Sequence, residues 1–348
     1  ILLKSWKIRT QWSVKEFYNP EFESIYFQIL IGLNIDILHI QHLIGHTFDL
    51  AKVANLMGIP TILSLHDFYY ICPSIHLLDQ DNRYCAGQCT KNSLQCQVYQ
   101  ENKFKDIPLL KDFIDIWREE VSLLIDNVTA FTAPTLSTLD LYSSIYPQIK
   151  NKYNKAIEHG RDFKKESNCY TVPSEKPLKI LVPGTIKPHK GQDFIKELKE
   201  MDSQNRIEFH FMGSISKDLK DIGQYHGMYK REDFCKLVNT IKPSFIGIFS
   251  ICPETYCHTL SEAWSCGVPV LVTKLGALKE RVEKTGGGYL LDPYSPKEAY
   301  EEIIRLSNSI EDYKKITQNV SNIKFKSLQE MVNEYEGLYS AILSQDID

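Results

Sequence analysis

The sequence predicts an α/β protein made of two parallel-sheet domains of the doubly wound kind, and three observations carry that expectation. Short β-rich runs alternate with helix-like segments along most of the chain, the pattern of strands joined by helical crossovers. The alternation comes as two series, separated by a polar stretch that holds Pro173 and Pro177 and shows no usable periodicity. The length of 348 residues also exceeds the roughly 250 that a single core commonly supports.

In the first series, residues 35–40 and Thr61 to Leu65 read as buried strands. An amphipathic helix around Leu50, Val53, Ala54 and Met57 joins them, stopped by Gly58 and Pro60. Phe113, Ile116, Trp117, Val121, Leu124 and Ile125 recur at helical spacing, Val128 to Thr132 supplies another strand, and a further strand ends near Glu158. The second series has strands at Leu178 to Val182, Ile207 to Met212, Phe245 to Phe249 and Pro269 to Val272. The expected organisation is therefore a first domain over 1–163, a linker over 164–177, a second domain over 178–327 and a terminal helix over 328–348. Residues 1–30 lack the Gly-rich strand-to-helix turn with which such a domain opens, and position 1 is not Met. The expectation is a chain that begins inside its first domain, as a fragment or as part of a longer polypeptide.

Composition excludes several function classes. With 43% hydrophobic and 24% charged residues the chain is an ordinary globular one. Its net charge is −4 and its lysines are interleaved with Asp and Glu, so it has no basic stripe and no nucleic-acid partner is expected. No apolar run reaches the roughly 18 residues of a membrane span, and the start shows no signal-peptide pattern. These features point to the cytoplasm. Nine cysteines, an odd number, read as reduced thiols rather than a disulfide framework.

The chemistry is concentrated in Pro253-Glu254-Thr255-Tyr256-Cys257-His258-Thr259-Leu260-Ser261-Glu262 and the following Gly267-Val268-Pro269-Val270. Two glutamates straddle a loop-to-helix junction after a strand. The unpaired N–H groups and the positive dipole end of a helix start can hold a diphosphate there. Glu262 could accept hydrogen bonds from ribose hydroxyls, with Glu254 nearer a sugar ring. The bland alternative is a solvated helix with two surface carboxylates, and glutamates at this spacing are common by chance.

The block as a whole resembles the signature of the family 4 retaining glycosyltransferases, the group 1 glycosyl transferases, and three more segments match in order. Leu181-Val182-Pro183-Gly184-Thr185-Ile186-Lys187-Pro188-His189-Lys190-Gly191 is similar to the first strand-turn-helix of their C-terminal domain. Thr61 to Asp67 with Phe68 to Pro73 resembles their strand ending in a His-Asp pair on the acceptor side, and Ile157 to Phe163 resembles their hinge loop. The resemblance implies a GT-B fold: two Rossmann-like domains facing a cleft, the first incomplete at its start, with the terminal helix crossing back to the first domain. It implies transfer of a sugar from a nucleoside-diphosphate sugar, the co-substrate, to a glycan or glycolipid hydroxyl in surface polysaccharide or glycolipid synthesis, with retention, without a divalent metal, and at or near the inner face of the membrane.

The resemblance also assigns roles. His66, Glu254 and Lys190 become catalytic, while Gly184, Thr185, Lys190, Tyr256, Cys257, His258, Thr259 and Glu262 bind donor. Asp67, His159 and Gly160 are hinge or cleft residues. Two positions depart from the family: Thr185 stands where Arg is frequent, with Lys187 as the substitute, and Cys257 where Gly is frequent. A GT-B epimerase or phosphorylase, or a non-catalytic sugar-nucleotide-binding module, is the alternative.

Two readings stand for Cys72, Cys85, Cys89 and Cys96, a structural zinc site that orders a long loop, or free and partly buried thiols, which the spacing favours. His39, His42 and His46 read as packing and surface residues, without ligand spacing to a Cys or carboxylate.

Overall fold

A computed structural model of the chain describes residues 16–89, 113–163, 169–173 and 177–344. The chain divides into two compact units, one of Ile1–Gln80, Cys85–Glu158 and Gln329–Asp348, the other of Asp81–Tyr84 and His159–Leu328. The expected linker at 164–177 and Cys96 of the cysteine quartet lie partly or wholly outside the described residues.

The first unit opens with α1 (Pro20–Gly32), started by Asn19, whose side chain accepts the Glu21 N–H at 2.8 Å, and by Pro20 in the first turn. There follow β1 (Leu38–Ile40), α2 (Asp49–Leu56), β2 (Thr61–Ser64), α3 (Phe113–Asp126), β3 (Ala130–Ala133), α4 (Leu136–Ile145) and β4 (Tyr153–Ala156). The strands form one parallel sheet in the order β1-β2-β3-β4. β1 is shorter than residues 35–40, because Ile35 belongs to the turn leaving α1, its N–H bonded to Leu30 at 3.2 Å. The periodicity of α3 is explained by its buried face of Phe113, Trp117, Val121, Leu124 and Ile125.

The second unit carries β5 (Leu178–Thr185), α5 (Gln192–Met201), β6 (Ile207–Ser214), α6 (Lys217–Lys220), β7 (Gly223–Tyr225), α7 (Phe234–Ile241), β8 (Phe245–Ile248), α8 (His258–Ser265), β9 (Val270–Thr273), α9 (Gly276–Thr285), β10 (Gly288–Leu291), α10 (Pro296–Ser307) and α11 (Ile310–Asn322). Its six parallel strands run β10-β9-β8-β5-β6-β7. Side chains alternate between the two faces, so Ile180, Val182, Phe245 and Leu271 enter one core, while Leu181, Ile246, Val270 and Val272 enter the other. β7 and β10 are additions to the expected strands, and both are partly exposed.

The last helix, α12 (Leu328–Ser344), places Leu338 and Ile342 against Ile62, Ala130 and Ile157 of the first unit. Among the described residues, no helix is long and apolar enough to cross a membrane. The reading of all cysteines as thiols is corrected at one pair: Cys235 of α7 and Cys266, which follows α8, form a disulfide with Cα atoms 5.4 Å apart. They are 31 residues apart in sequence, so only the packing of α7 on α8 brings them together.

Candidate functional site

The strand order fixes where a ligand can enter. From β5 the chain winds outward through β6 and β7, then returns to lay β8 on the other side of β5. The crossovers leave in opposite directions at this switch point, and a crevice opens beyond the carboxyl ends of β5 and β8. A pocket lies there, walled by Gly184, Thr185, Lys190, Glu254, Cys257 and Thr259.

Glycines let its walls come together. A Cβ on Gly191, at φ 81°, would stand 2.0 Å from the Phe249 carbonyl oxygen, so only glycine lets the turn after β5 lie against the end of β8. The Ile251 N–H bonds the His189 carbonyl at 3.1 Å and holds the same approach. Lys190 is thereby set beside Glu254, and the two form a close ion pair. The Ser250 hydroxyl also donates to Glu254, at 2.6 Å. Burial alone would raise the Glu254 carboxyl, but the Lys190 ammonium, its hydrogen bond and Ser250 outweigh it and hold the group below the usual carboxylate value. Burial works against the charge of Lys190 as well, and Glu254 more than offsets it, raising the ammonium pKa. Both side chains are charged at neutral pH.

Cys257 precedes α8 with φ 68° and ψ 88°, a left-handed conformation. Burial and the nearby Glu254 push the thiols of Cys252 and Cys257 up to about 12, so neither is a thiolate nucleophile at neutral pH. His258 begins the helix and stacks on His159 with ring centroids 5.1 Å apart, while the Tyr256 hydroxyl donates to the His159 carbonyl at 2.9 Å. Gly160 follows in the same loop, anchored one residue later by the Arg161 N–H on the Lys326 carbonyl at 2.8 Å. Burial, then Arg231, lowers the His258 pKa and keeps that ring neutral.

Glu262 is buried and takes two guanidinium partners, Arg161 at 2.7 Å and Arg231 at 3.1 Å. Arg281 of α9 donates to the Tyr256 and Cys257 carbonyls just before α8. The sequence reading brought Lys190, Glu254, Tyr256, Cys257, His258, Thr259 and Glu262 to this region. It missed Ser250, Arg231 and Arg281, and gave Arg161 no role. Arg231 and Arg281 lie 31 and 19 residues from Glu262, outside any local motif. Lys187 is exposed and absent from the pocket wall.

In the first unit, His66 and Asp67 follow β2 and meet the two residues that follow β1. His66 Nε2 lies 2.7 Å from Gln41 Oε1, and His42 Nε2 lies 3.2 Å from Asp67 Oδ2. The Ile44 N–H donates to His42 Nδ1 at 2.9 Å, which leaves the ring proton on Nε2, pointing at Asp67. His42 thus has a carboxylate partner that its local sequence did not reveal. Burial lowers the His66 pKa, against the opposing pull of Asp67. His39 is held by Ser64 Oγ at 2.8 Å and Tyr339 at 2.7 Å, a packing role. Cys72 is buried and Cys85 and Cys89 half-buried, and no group of metal-ligating residues occurs among the described ones.

The second unit is thus an α/β domain with a crevice at its switch point, in whose wall Lys190 and Glu254 form an ion pair. Residues 164–322 match the family described as Glycosyl transferases group 1, and the chain carries a domain of that family. Solved structures share the two-sheet GT-B architecture. Anabaena HepE in complex with UDP superposes with a TM-score of 0.63 at 15% identity, over 91% of this chain and 82% of that one. A glycosyltransferase from Rickettsia africae gives 0.61 at 16%, over 97% and 84%. The sucrose-phosphate synthase of Thermosynechococcus elongatus gives 0.61 at 12%, over 94% and 78%. Among curated proteins no sequence matches the chain significantly.

Proposed function

We propose that this chain is a retaining glycosyltransferase that moves a sugar from a nucleoside-diphosphate sugar to a hydroxyl of a glycan or glycolipid, in surface polysaccharide or glycolipid synthesis. One observation carries the reading: Lys190 at the switch-point crevice pairs with Glu254, and Arg161 and Arg231 both pair with the buried Glu262 of α8, the helix that starts beside the crevice. Three cations against two carboxylates leave net positive charge, the sign that suits a nucleoside-diphosphate sugar. Opposite charge at a partly enclosed site is what stabilises a leaving diphosphate as the glycosidic bond breaks. In this scheme Lys190 and the first amides of α8 hold the diphosphate, Glu262 accepts the ribose hydroxyls and Glu254 steadies the sugar as it becomes cationic. Protein cations supply the compensating charge, so no divalent metal is invoked. His66 and Asp67 of the first unit are the proposed acceptor-side pair. UDP bound to Anabaena HepE makes UDP-sugars the first donors to try.

The test is a thermal-shift screen against UDP-, GDP-, dTDP- and ADP-sugars, because a ligand of the folded state raises its apparent stability. It is followed by transfer assays with Glu254→Gln, which should lower kcat far more than donor affinity. Donor binding without turnover in the parent would instead favour a binding module, and donor conversion without an acceptor an epimerase.

A further inference from the structure

Cys257 lines the crevice at the start of α8 in a conformation that glycine adopts freely and a residue with a Cβ does not. Something must hold it there. Arg281, only 7% exposed, reaches across from α9. Its Nη1 donates to the carbonyls of Tyr256, at 2.8 Å, and Cys257, at 3.0 Å, and its Nη2 to Ser261 Oγ, at 2.7 Å. The guanidinium also lies 3.9 Å from the centre of the Tyr256 ring. One rigid fork therefore grips the two peptide units on either side of the strained turn and the first turn of α8.

The geometry points to Arg281 as a positioning residue, which holds the left-handed Cys257 turn so that the opening amides of α8 face the nucleotide diphosphate. A trans peptide is planar, and its C=O and N–H point in opposite directions. Fixing the Tyr256 and Cys257 carbonyls on Arg281 thus turns the N–H groups of Cys257 and His258 away from it. Cys257 and Thr259 line the pocket on that side. Lysine, with a point charge on a flexible stem, cannot span both carbonyls and Ser261 as the guanidinium does. The inference rests on the proposed nucleotide-binding reading of the pocket.

The experiment is a double-variant cycle of Arg281→Met and Arg281→Lys, each with and without Cys257→Gly, read by UDP calorimetry and by hydrogen exchange. Glycine relieves the turn, so it should suppress the defect. Both Arg281 variants should weaken UDP at least tenfold in the parent background and less than threefold in the Cys257→Gly background. The Leu260 amide, bonded to the Cys257 carbonyl at 3.2 Å, should exchange faster in the Arg281 variants only while Cys257 is present. A residue that merely supports the fold would lower the unfolding midpoint in both backgrounds and leave the UDP affinity of the folded protein at the parental value, which would overturn the proposal. Equal losses of affinity in both backgrounds would overturn it too. If Arg281→Met does not fold, Arg281→Lys carries the comparison. If the parent binds no nucleotide, the reading of the pocket fails, while the exchange arm still decides whether Arg281 holds the turn.

Discussion

Replacing Lys190 by Met tests the centre of the crevice, because the structure predicts two separable losses. In the folded protein the Lys190 side chain is 35% exposed and its partner Glu254 16%. Breaking a buried pair from one side costs about 3 to 5 kcal/mol, since a desolvated charge is left behind, and the exposure of Lys190 places this case near the lower end, about 3 kcal/mol. For a domain of this size that is a fall in unfolding temperature of roughly 6 to 12 °C. Adding Glu254→Gln removes the stranded carboxylate, so the double variant should recover most of the stability. Affinity should behave differently. A charge-assisted phosphate contact contributes about 1.5 to 3 kcal/mol, so UDP binding should weaken roughly ten- to 150-fold in the single variant and stay weak in the double. Urea denaturation and calorimetry read the two quantities. If Lys190→Met were as stable as the parent and bound UDP equally well, both the buried pair and the diphosphate contact would be refuted.

The same pair gives a pH window. The depressed Glu254 pKa contributes stability that is present above the ordinary carboxyl value and lost as pH falls through the folded one. The raised Lys190 pKa contributes stability that is present below its ordinary value and lost as pH rises through the folded one. The stability difference between parent and Glu254→Gln should therefore be flat from about pH 5 to pH 10 and shrink below it, and a difference that grows on acidification would contradict the assignment. Glu262→Ala should weaken uridine and UDP by the same factor, because a ribose contact is common to both ligands, whereas Lys190→Met should spare uridine. A Glu262 effect confined to UDP would move that residue to the phosphates. Reducing the Cys235–Cys266 bridge, which closes a span of 31 residues, should cost up to about 3.7 kcal/mol on the chain-entropy account. Urea midpoints with and without reductant, with Cys235→Ser as control, measure it, and coincident curves would mean that the bridge adds nothing.

Much of this was legible from local sequence. The strands of the second unit were readable because apolar residues occupy both faces, and Lys190, Glu254 and Glu262 because each lies in a recognisable segment that follows a strand. β7 escaped because the half-exposed edge strand Gly223–Tyr225 carries little apolar signal, and β10 because its apolar run, Tyr289 to Leu291, is only three residues long. Arg231, Arg281 and the His42–Asp67 pair escaped for a different reason. Their partners come from other elements of the fold, and a side chain that reaches across elements leaves no spacing to read.

The crevice also has a mechanical side. β5 and β6 share eight register pairs, from Leu178↔Ile207 to Thr185↔Ser214, whereas β5 and β8 share only Ile180↔Phe245 and Leu181↔Ile246. Strands that part company so early leave room for a ligand, and they also leave the sheet with a thin seam between β10-β9-β8 and β5-β6-β7. Where the ladder is this short, the two groups of strands are held together mainly by the apolar cores they share on both faces. A nucleotide gripped by Lys190 from one block and by Glu262 from the other would act as a rivet across that seam, slowing exchange on both sides of it at once.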